Sequence, residues 1–206
     1  MRTTRVLAAT VALALLVSAP LQAAERIKGA ELFIDGAKLG AIYPKFFGLP
    51  FDQGEVDLFL GNTDKVIAWA AAHRTEWSAV DEADDTFTAI RGLALWETME
   101  IGSNEFVAMF IKLKIAQELE SGGIDVAMLR EQVQFMRNML VDPDRLEELK
   151  AETKKQLEML DEMISGLDNY PEGNRSTYTA NKERIDDAIS RFEAATKTDT
   201  ATPNDG

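Results

Sequence analysis

The chain has 206 residues, 46% of them hydrophobic and 28% charged, with 35 Asp and Glu against 22 Lys and Arg for a formal charge of −13. That acid excess excludes nucleic-acid binding through a basic face, because phosphate neutralisation needs clustered Lys and Arg, and it disfavours anionic membrane surfaces. There is no Cys and only one His, so disulfides, thiolate zinc sites and multi-histidine metal sites are excluded, and any Ser-His or Cys-His chemistry would rest on His73 alone.

Arg2 and Arg5 precede an apolar run over residues 6–17, which is broken by Ser18, Ala19 and Pro20 and followed by small residues at Ala23 and Ala24. This is the layout of a cleavable secretion signal over residues 1–23. The run falls short of the ~20 apolar residues that span a bilayer. The expectation is an exported protein, periplasmic or secreted, with no membrane span in the mature form. Removing Arg2 and Arg5 takes the formal charge from −13 to −15. Without disulfides, such a chain depends on helix packing for its stability.

Residues 25–54 carry mixed signals. Glu31 to Gly36 fits a strand entering an Asp-Gly turn, and it equally fits a poor helix with Ile27, Ile34, Ala37 and Ala41 near one face; the helical pattern downstream favours helix. Pro44, Gly48, Pro50 and Gly54 mark an irregular loop bearing Phe46, Phe47 and Phe51, read as cover for a core. From Glu55 a short helix with Val56, Phe59 and Leu60 is expected to stop at Gly61-Asn62, where Asn62 or Thr63 caps a second helix running to about Ser78. The carboxylates Asp81, Glu82, Asp84 and Asp85 then suit a helix start. They do not match an EF-hand calcium loop.

Residues 85–101 and 104–120 read as two helices apolar over most of their circumference, a central antiparallel hairpin separated by Gly102-Ser103. Gly122-Gly123 ends the second. Asp125 caps the next helix, with Ile124 and Leu129 as a hydrophobic staple, and Val126, Leu129, Val133, Met136 and Leu140 form its core stripe. Asp142-Pro143 opens a long helix over 143–167, with a stripe of Leu146, Leu149, Thr153, Leu157, Leu160, Ile164 and Leu167. After a turn over 168–174, a last helix over about 175–195 carries Tyr178, Ile185, Ile189 and Phe192. Residues 196–206 read as disordered. The fold class is therefore all-α: a helical bundle over 24–141 and a C-terminal antiparallel coiled-coil-like hairpin over 142–196, packed on the bundle or extending from it.

No catalytic set is assembled by these patterns, and a non-enzymatic protein is expected. Trp69, His73 and Trp77 lie four apart on one helical face. With Trp96 and Met99 they are the candidate binding residues for a small apolar or planar ligand. Haem ligation by His73 opposite Met99 or Met136 is disfavoured by the single histidine and the absence of an attachment motif, and no cofactor or metal is expected. Glu97 and Glu100, one turn apart, are a weak acid–base pair beside Arg91, Lys112 and Lys114. The leading expectation is protein–protein interaction or self-association in the cell envelope, through Leu157, Leu160, Ile164, Tyr178, Ile185 and Ile189 of the charged hairpin. The methionines of the helices are read as core filler or as an adaptable apolar face. The sequon Asn174-Arg175-Ser176 is noted as a glycosylation acceptor pattern.

Overall fold

The computed structural model describes residues 27–36, 39–81, 86–141 and 147–196. The expected signal over 1–23, the acidic run after Asp81, the Asp142-Pro143 helix start and the tail over 197–206 lie outside the described residues. The fold is an all-α bundle, and no strand occurs among the described residues. The N-terminal segment is helical: a 3₁₀ helix Ala30–Gly36, a single α turn α1 (Leu39–Ile42) and a second 3₁₀ helix Tyr43–Gly48. Then come α2 (Gln53–Ala72), α3 (Arg74–Asp81), α4 (Thr86–Arg91), a 3₁₀ helix Ala94–Thr98, α5 (Ser103–Ser121), α6 (Val126–Leu140), α7 (Glu147–Asp168) and α8 (Glu172–Thr196).

The expected stop at Gly61-Asn62 is overturned. α2 starts at Asp52, whose side chain accepts from the Glu55 backbone N–H at 2.9 Å, and it runs unbroken to Ala72. Asn62 and Thr63 face inward and turn back: Asn62 Nδ2 donates to the Leu58 carbonyl at 2.7 Å and Thr63 Oγ1 to that of Phe59 at 2.8 Å. Bonded to carbonyls four residues earlier, their donors are taken up within the existing helix and they cap no new one.

The expected continuous helix over 85–101 is also overturned. α4 ends at Arg91, and Leu93 is extended at φ −70°, ψ 142°. Gly92, a poor helix former, supplies the break. Trp96 Nε1 then donates 2.7 Å to the Ile90 carbonyl, which satisfies one of the acceptors a helix end leaves open. α5 is buried on most sides, as its apolar circumference predicts. It ends at Gly122, whose φ of 75° is the left-handed geometry that favours glycine.

The core is built on α2, α5 and α8. Arg184 lies 3.6 Å from Asp57 and Arg191 2.7 Å from Asp64, each pair 127 positions apart, so α2 and α8 run in the same direction. α5 runs opposite to both. It is tied to α8 by Lys114–Glu193 at 2.9 Å, Gln117–Asp186 at 3.0 Å and Glu120–Arg175 at 3.0 Å, and to α2 by the stacked rings of Phe59 and Phe106, 5.4 Å apart. Asn181, an apparent gap in the α8 stripe, is buried and exchanges amide hydrogen bonds with Gln53 of α2.

The pairing within the C-terminal hairpin needs correction. α8 packs on α2 and α5, while α7 packs along α6 and against Tyr43–Gly48. The antiparallel pair is α6–α7, sealed by Val133, Met136 and Leu160 with Leu129, Met139, Leu157 and Ile164. Proximity in sequence suggests α8 as the cover for the α7 stripe; α6 covers it instead. At the other end of α7, a Cβ on Gly166 would sit 2.7 Å from Phe47 Cβ, so glycine is what lets the helix backbone lie against the 3₁₀ turn.

Asn174, at the start of α8, is 1% exposed. Its Oδ1 accepts from the Phe51 N–H and its Nδ2 donates to the Leu49 carbonyl, both at 2.9 Å. The sequon asparagine is thus a buried clamp on residues 49–51. Asn174→Ala leaves both backbone groups without partners and is expected to cost about 2–4 kcal/mol. The shift of the urea unfolding midpoint measures it.

Candidate interaction surface and buried polar sites

The five candidate ligand residues are brought together, but as a packed aromatic file. At the end of α2 the backbone leaves helical geometry at His73 (φ −120°, ψ 47°). The imidazole lies flat on Trp69, with centroids 4.2 Å apart and planes at 10°, and its Nδ1 sits 3.0 Å from the Trp69 carbonyl. Trp77 of α3 is buried and meets Trp69 at 6.4 Å and Phe192 of α8 edge-on at 6.2 Å. Phe192 contacts Phe106 and Phe110 at 5.8 and 5.2 Å, and Phe106 contacts Trp96 at 5.5 Å. Met99 packs half-buried against the same core. Trp77 is enclosed by Trp69 and Phe192, whereas His73 is exposed and stacks on Trp69 through one face, with Trp69 and Trp96 half-buried. Glu97 and Glu100 are exposed and do not share an α-helical turn; Glu100 lies 3.7 Å from Lys65.

The six candidate partner-binding residues are also drawn inward. Tyr178, Ile185 and Ile189 are at most 1% exposed in the main core, and Leu160 is buried between α6 and α7 with Leu157 and Ile164 half-buried beside it. The exposed apolar surface lies on other residues of the hairpin. Met128 is 63% exposed, Phe135 62%, Val141 81%, Leu149 51% and Met159 40%, and among the described residues every large hydrophobic of this exposure falls between α6 and the middle of α7. The signal was in the spacing: Met128 and Phe135 are one heptad apart and off the Leu129, Val133, Met136, Leu140 stripe.

Two ion pairs set the geometry of this hairpin. Arg130 lies 2.5 Å from Asp168 and Arg137 2.9 Å from Asp161. Seven residues forward on α6 match seven residues back on α7, which is antiparallel pairing in heptad register. At 100° per residue, both ion pairs fall on one edge of the hairpin, and Met128, Phe135 and Met159 fall on the opposite edge. One edge is closed by charge; the other is apolar, covered where Gly166 lies against Phe47 and exposed at Met128, Phe135 and Met159.

A buried ion pair that sequence reading placed only as a nearby cation lies between α2 and α5. Lys112 is 2% exposed and Glu55 8%. The Lys112 ammonium donates to Glu55 Oε2, and to the Pro50 carbonyl at 3.2 Å. Burial pushes the Glu55 carboxyl up, opposed by the hydrogen bond from Lys112, and burial pushes the Lys112 ammonium down, opposed by Glu55. Glu55 lines a cavity of about 260 Å³ together with Ile27, Asp52, Gly54 and Leu58. A second polar cluster sits on α8. The Tyr178 hydroxyl donates to Asp186 Oδ1 at 2.5 Å, Lys182 reaches Asp186 Oδ2 at 2.6 Å, and Gln117 of α5 donates to the same carboxylate at 3.0 Å.

Burial, reinforced by the bond to Asp186, pushes the Tyr178 hydroxyl up to about 12; burial does the same to Tyr170, and raises Tyr43 beside Glu118. A tyrosine whose folded pKa is raised supports the fold fully below its unfolded value near 10, and that support is lost as pH rises through the folded value. Absorbance at 295 nm from Tyr170 and Tyr178 is therefore expected to rise together with loss of helical circular dichroism near pH 12. Ionisation of two or more tyrosines near pH 10 with the fold intact would contradict this burial.

Comparison of the chain with protein-family models, with curated proteins and with solved structures gives no match. Among the described residues, no helix is long and apolar enough to cross a membrane.

Proposed function

We propose that this is an exported, non-enzymatic protein-binding module of the cell envelope, cleaved after Ala23, whose contact element is the apolar edge of the α6–α7 hairpin. The observation that carries the reading is that, among the described residues, the exposed large hydrophobic side chains lie on that hairpin and its connection. Scattered single hydrophobics need no explanation, whereas a grouped set on one element marks an interaction surface. Methionine and phenylalanine suit it: Met128 and Met159 adapt to varied apolar partners, and Phe135 is an anchor of the kind that dominates interface energetics.

The test is a photo-crosslinking residue at position 135, in protein expressed in its native compartment. A discrete adduct that disappears on Met128→Asp supports the surface. Absence of any adduct at 135, with adducts elsewhere on the chain, overturns it.

A second reading, a small-ligand carrier, is favoured by the cavity beside Glu55. Its volume of about 260 Å³ falls below the roughly 300–1,000 Å³ of usual ligand sites. Its lining of Asp52 and Glu55 against Ile27 and Leu58 suits a short alkylammonium, not the planar ligand that the Trp69, His73, Trp77 spacing suggests. Native mass spectrometry of protein from its own compartment separates the readings: a retained small mass favours the carrier.

A further inference from the structure

We propose that the exposed apolar edge of the α6–α7 hairpin binds a basic amphipathic helix of another protein. Its apolar side would lie on Phe135 and Met159, and its Lys or Arg side chains would meet Glu131, Glu148, Glu152 and Glu162. The inference rests on the hairpin-surface reading above and gives the chemistry of the partner.

The chain itself shows what covers the other end of this edge. Glu152, Met159 and Gly166 stand seven apart on α7 and share one face of the helix. Gly166 is met by Phe47 and Gly48 of the 3₁₀ helix Tyr43–Gly48. That cover is a short helical segment with two buried phenylalanines, one lysine and no acidic residue. One heptad before Gly166, Met159 is 40% exposed, and on the α6 side of the same edge Phe135 is 62% exposed. The uncovered stretch therefore continues an interface whose seated occupant is helical, aromatic and basic.

Charge points to the same partner. α7 holds seven carboxylates against three lysines. On the far edge of the hairpin Asp161 and Asp168 are matched by Arg137 and Arg130. On the apolar edge, Glu148, Glu152 and Glu162 fall within about 60° of Met159, and Glu131 within about 60° of Met128, at 100° per residue. All four are exposed, and none forms an ion pair among the described residues. Lys155 is the one described cation beside them. An acidic partner, a second copy of this chain included, would set carboxylate against carboxylate. A neutral apolar helix would draw these carboxylates out of water and leave them unpaired. A helix that is apolar along its middle and basic along its flanks covers the phenylalanine and the methionine and pairs the rim.

The test uses two synthetic helical peptides that share one apolar face, flanked by lysine in one and by glutamate in the other. Each is titrated against the protein purified from its own compartment. The lysine peptide is expected to bind and to weaken steeply as salt is raised; the glutamate peptide is expected not to bind. Glu148→Lys/Glu152→Lys is expected to weaken the lysine peptide at least about tenfold, and Phe135→Ser to weaken it likewise. Glu76→Lys/Glu183→Lys changes the net charge equally at exposed positions of α3 and α8, and is expected to leave binding unchanged. Every substitution is at an exposed position and is expected to keep the wild-type circular dichroism spectrum. Equal affinity for the two peptides, no binding of either, or an equal loss through Glu76→Lys/Glu183→Lys overturns the inference. If one of those results comes with a discrete adduct from position 135, the hairpin remains a contact surface for a partner of other chemistry. If it comes with none, both readings fall.

Discussion

Lys112→Met is expected to destabilise the protein by about 3–5 kcal/mol, the usual consequence of removing one partner from a buried ion pair. Lys112 and Glu55 are each disfavoured in their charged forms by burial, and each is held charged by the other. Removing the ammonium leaves a carboxylate between α2 and α5 with no cation and leaves the Pro50 carbonyl without its donor. Glu55 then escapes by taking up a proton. A carboxyl with a raised folded pKa supports the fold at low pH and withdraws that support as pH rises. The penalty is therefore largest at neutral pH and shrinks toward pH ~4, where the carboxyl is protonated folded or unfolded. The double variant Glu55→Leu/Lys112→Met is expected to recover most of the loss, because apolar groups of similar volume replace a buried pair at little net cost. Urea denaturation of the single and double variants at neutral and acid pH measures all four quantities. A single-variant loss under about 1 kcal/mol would show that water reaches the pair.

The second large effect is expected from Phe192→Ala. Phe192 is buried and touches the rings of Trp77, Phe106 and Phe110, so it links α3 and α5 to α8. Truncating a buried phenylalanine costs about 3–5 kcal/mol, from lost burial and from the cavity left behind. Trp77 loses its edge-on neighbour, and tryptophan emission is expected to move to longer wavelength in the folded variant. An unchanged spectrum together with unchanged stability would detach the end of α8 from the core.

Capping chemistry and apolar spacing made much of the bundle legible before any coordinates. Asp125 accepts from the Met128 N–H at 3.0 Å, and Gly122 ends α5, both where the sequence put them. The errors came from residues whose local preference has two outlets. Asn62 and Thr63 are good caps, and equally good donors to a carbonyl one turn back; burial at 3% and 0% exposure selects the second. Gly92 was read through because the residues around it are apolar, yet it is where the chain turns. Apolar stripes tell which face of a helix is covered and not which helix covers it, so α7 was matched to α8 instead of α6. For the same reason the stripe of Tyr178, Ile185 and Ile189 fits either packing on the bundle or an external partner, and it is α2 and α5 that cover it. Lys112 was the least legible residue, since a lysine on an apolar helix is read as reaching out to water until its carboxylate appears on a distant element.

The parallel arrangement of α2 and α8, joined by contacts 127 positions apart, has a consequence for biogenesis. Bundles made of successive neighbours assemble quickly, because most contacts are close in sequence; closing so long a loop before the core is complete slows folding. The wall contributed by Ile185, Ile189 and Phe192 is synthesised after the helices α2, α3 and α5. Until it arrives, Trp77 lacks its edge-on neighbour Phe192, and the nascent polypeptide is open to aggregation. A premature stop before Glu172 would remove a structural side of the molecule, not an appendage, and the shortened product is the form a quality-control protease would recognise.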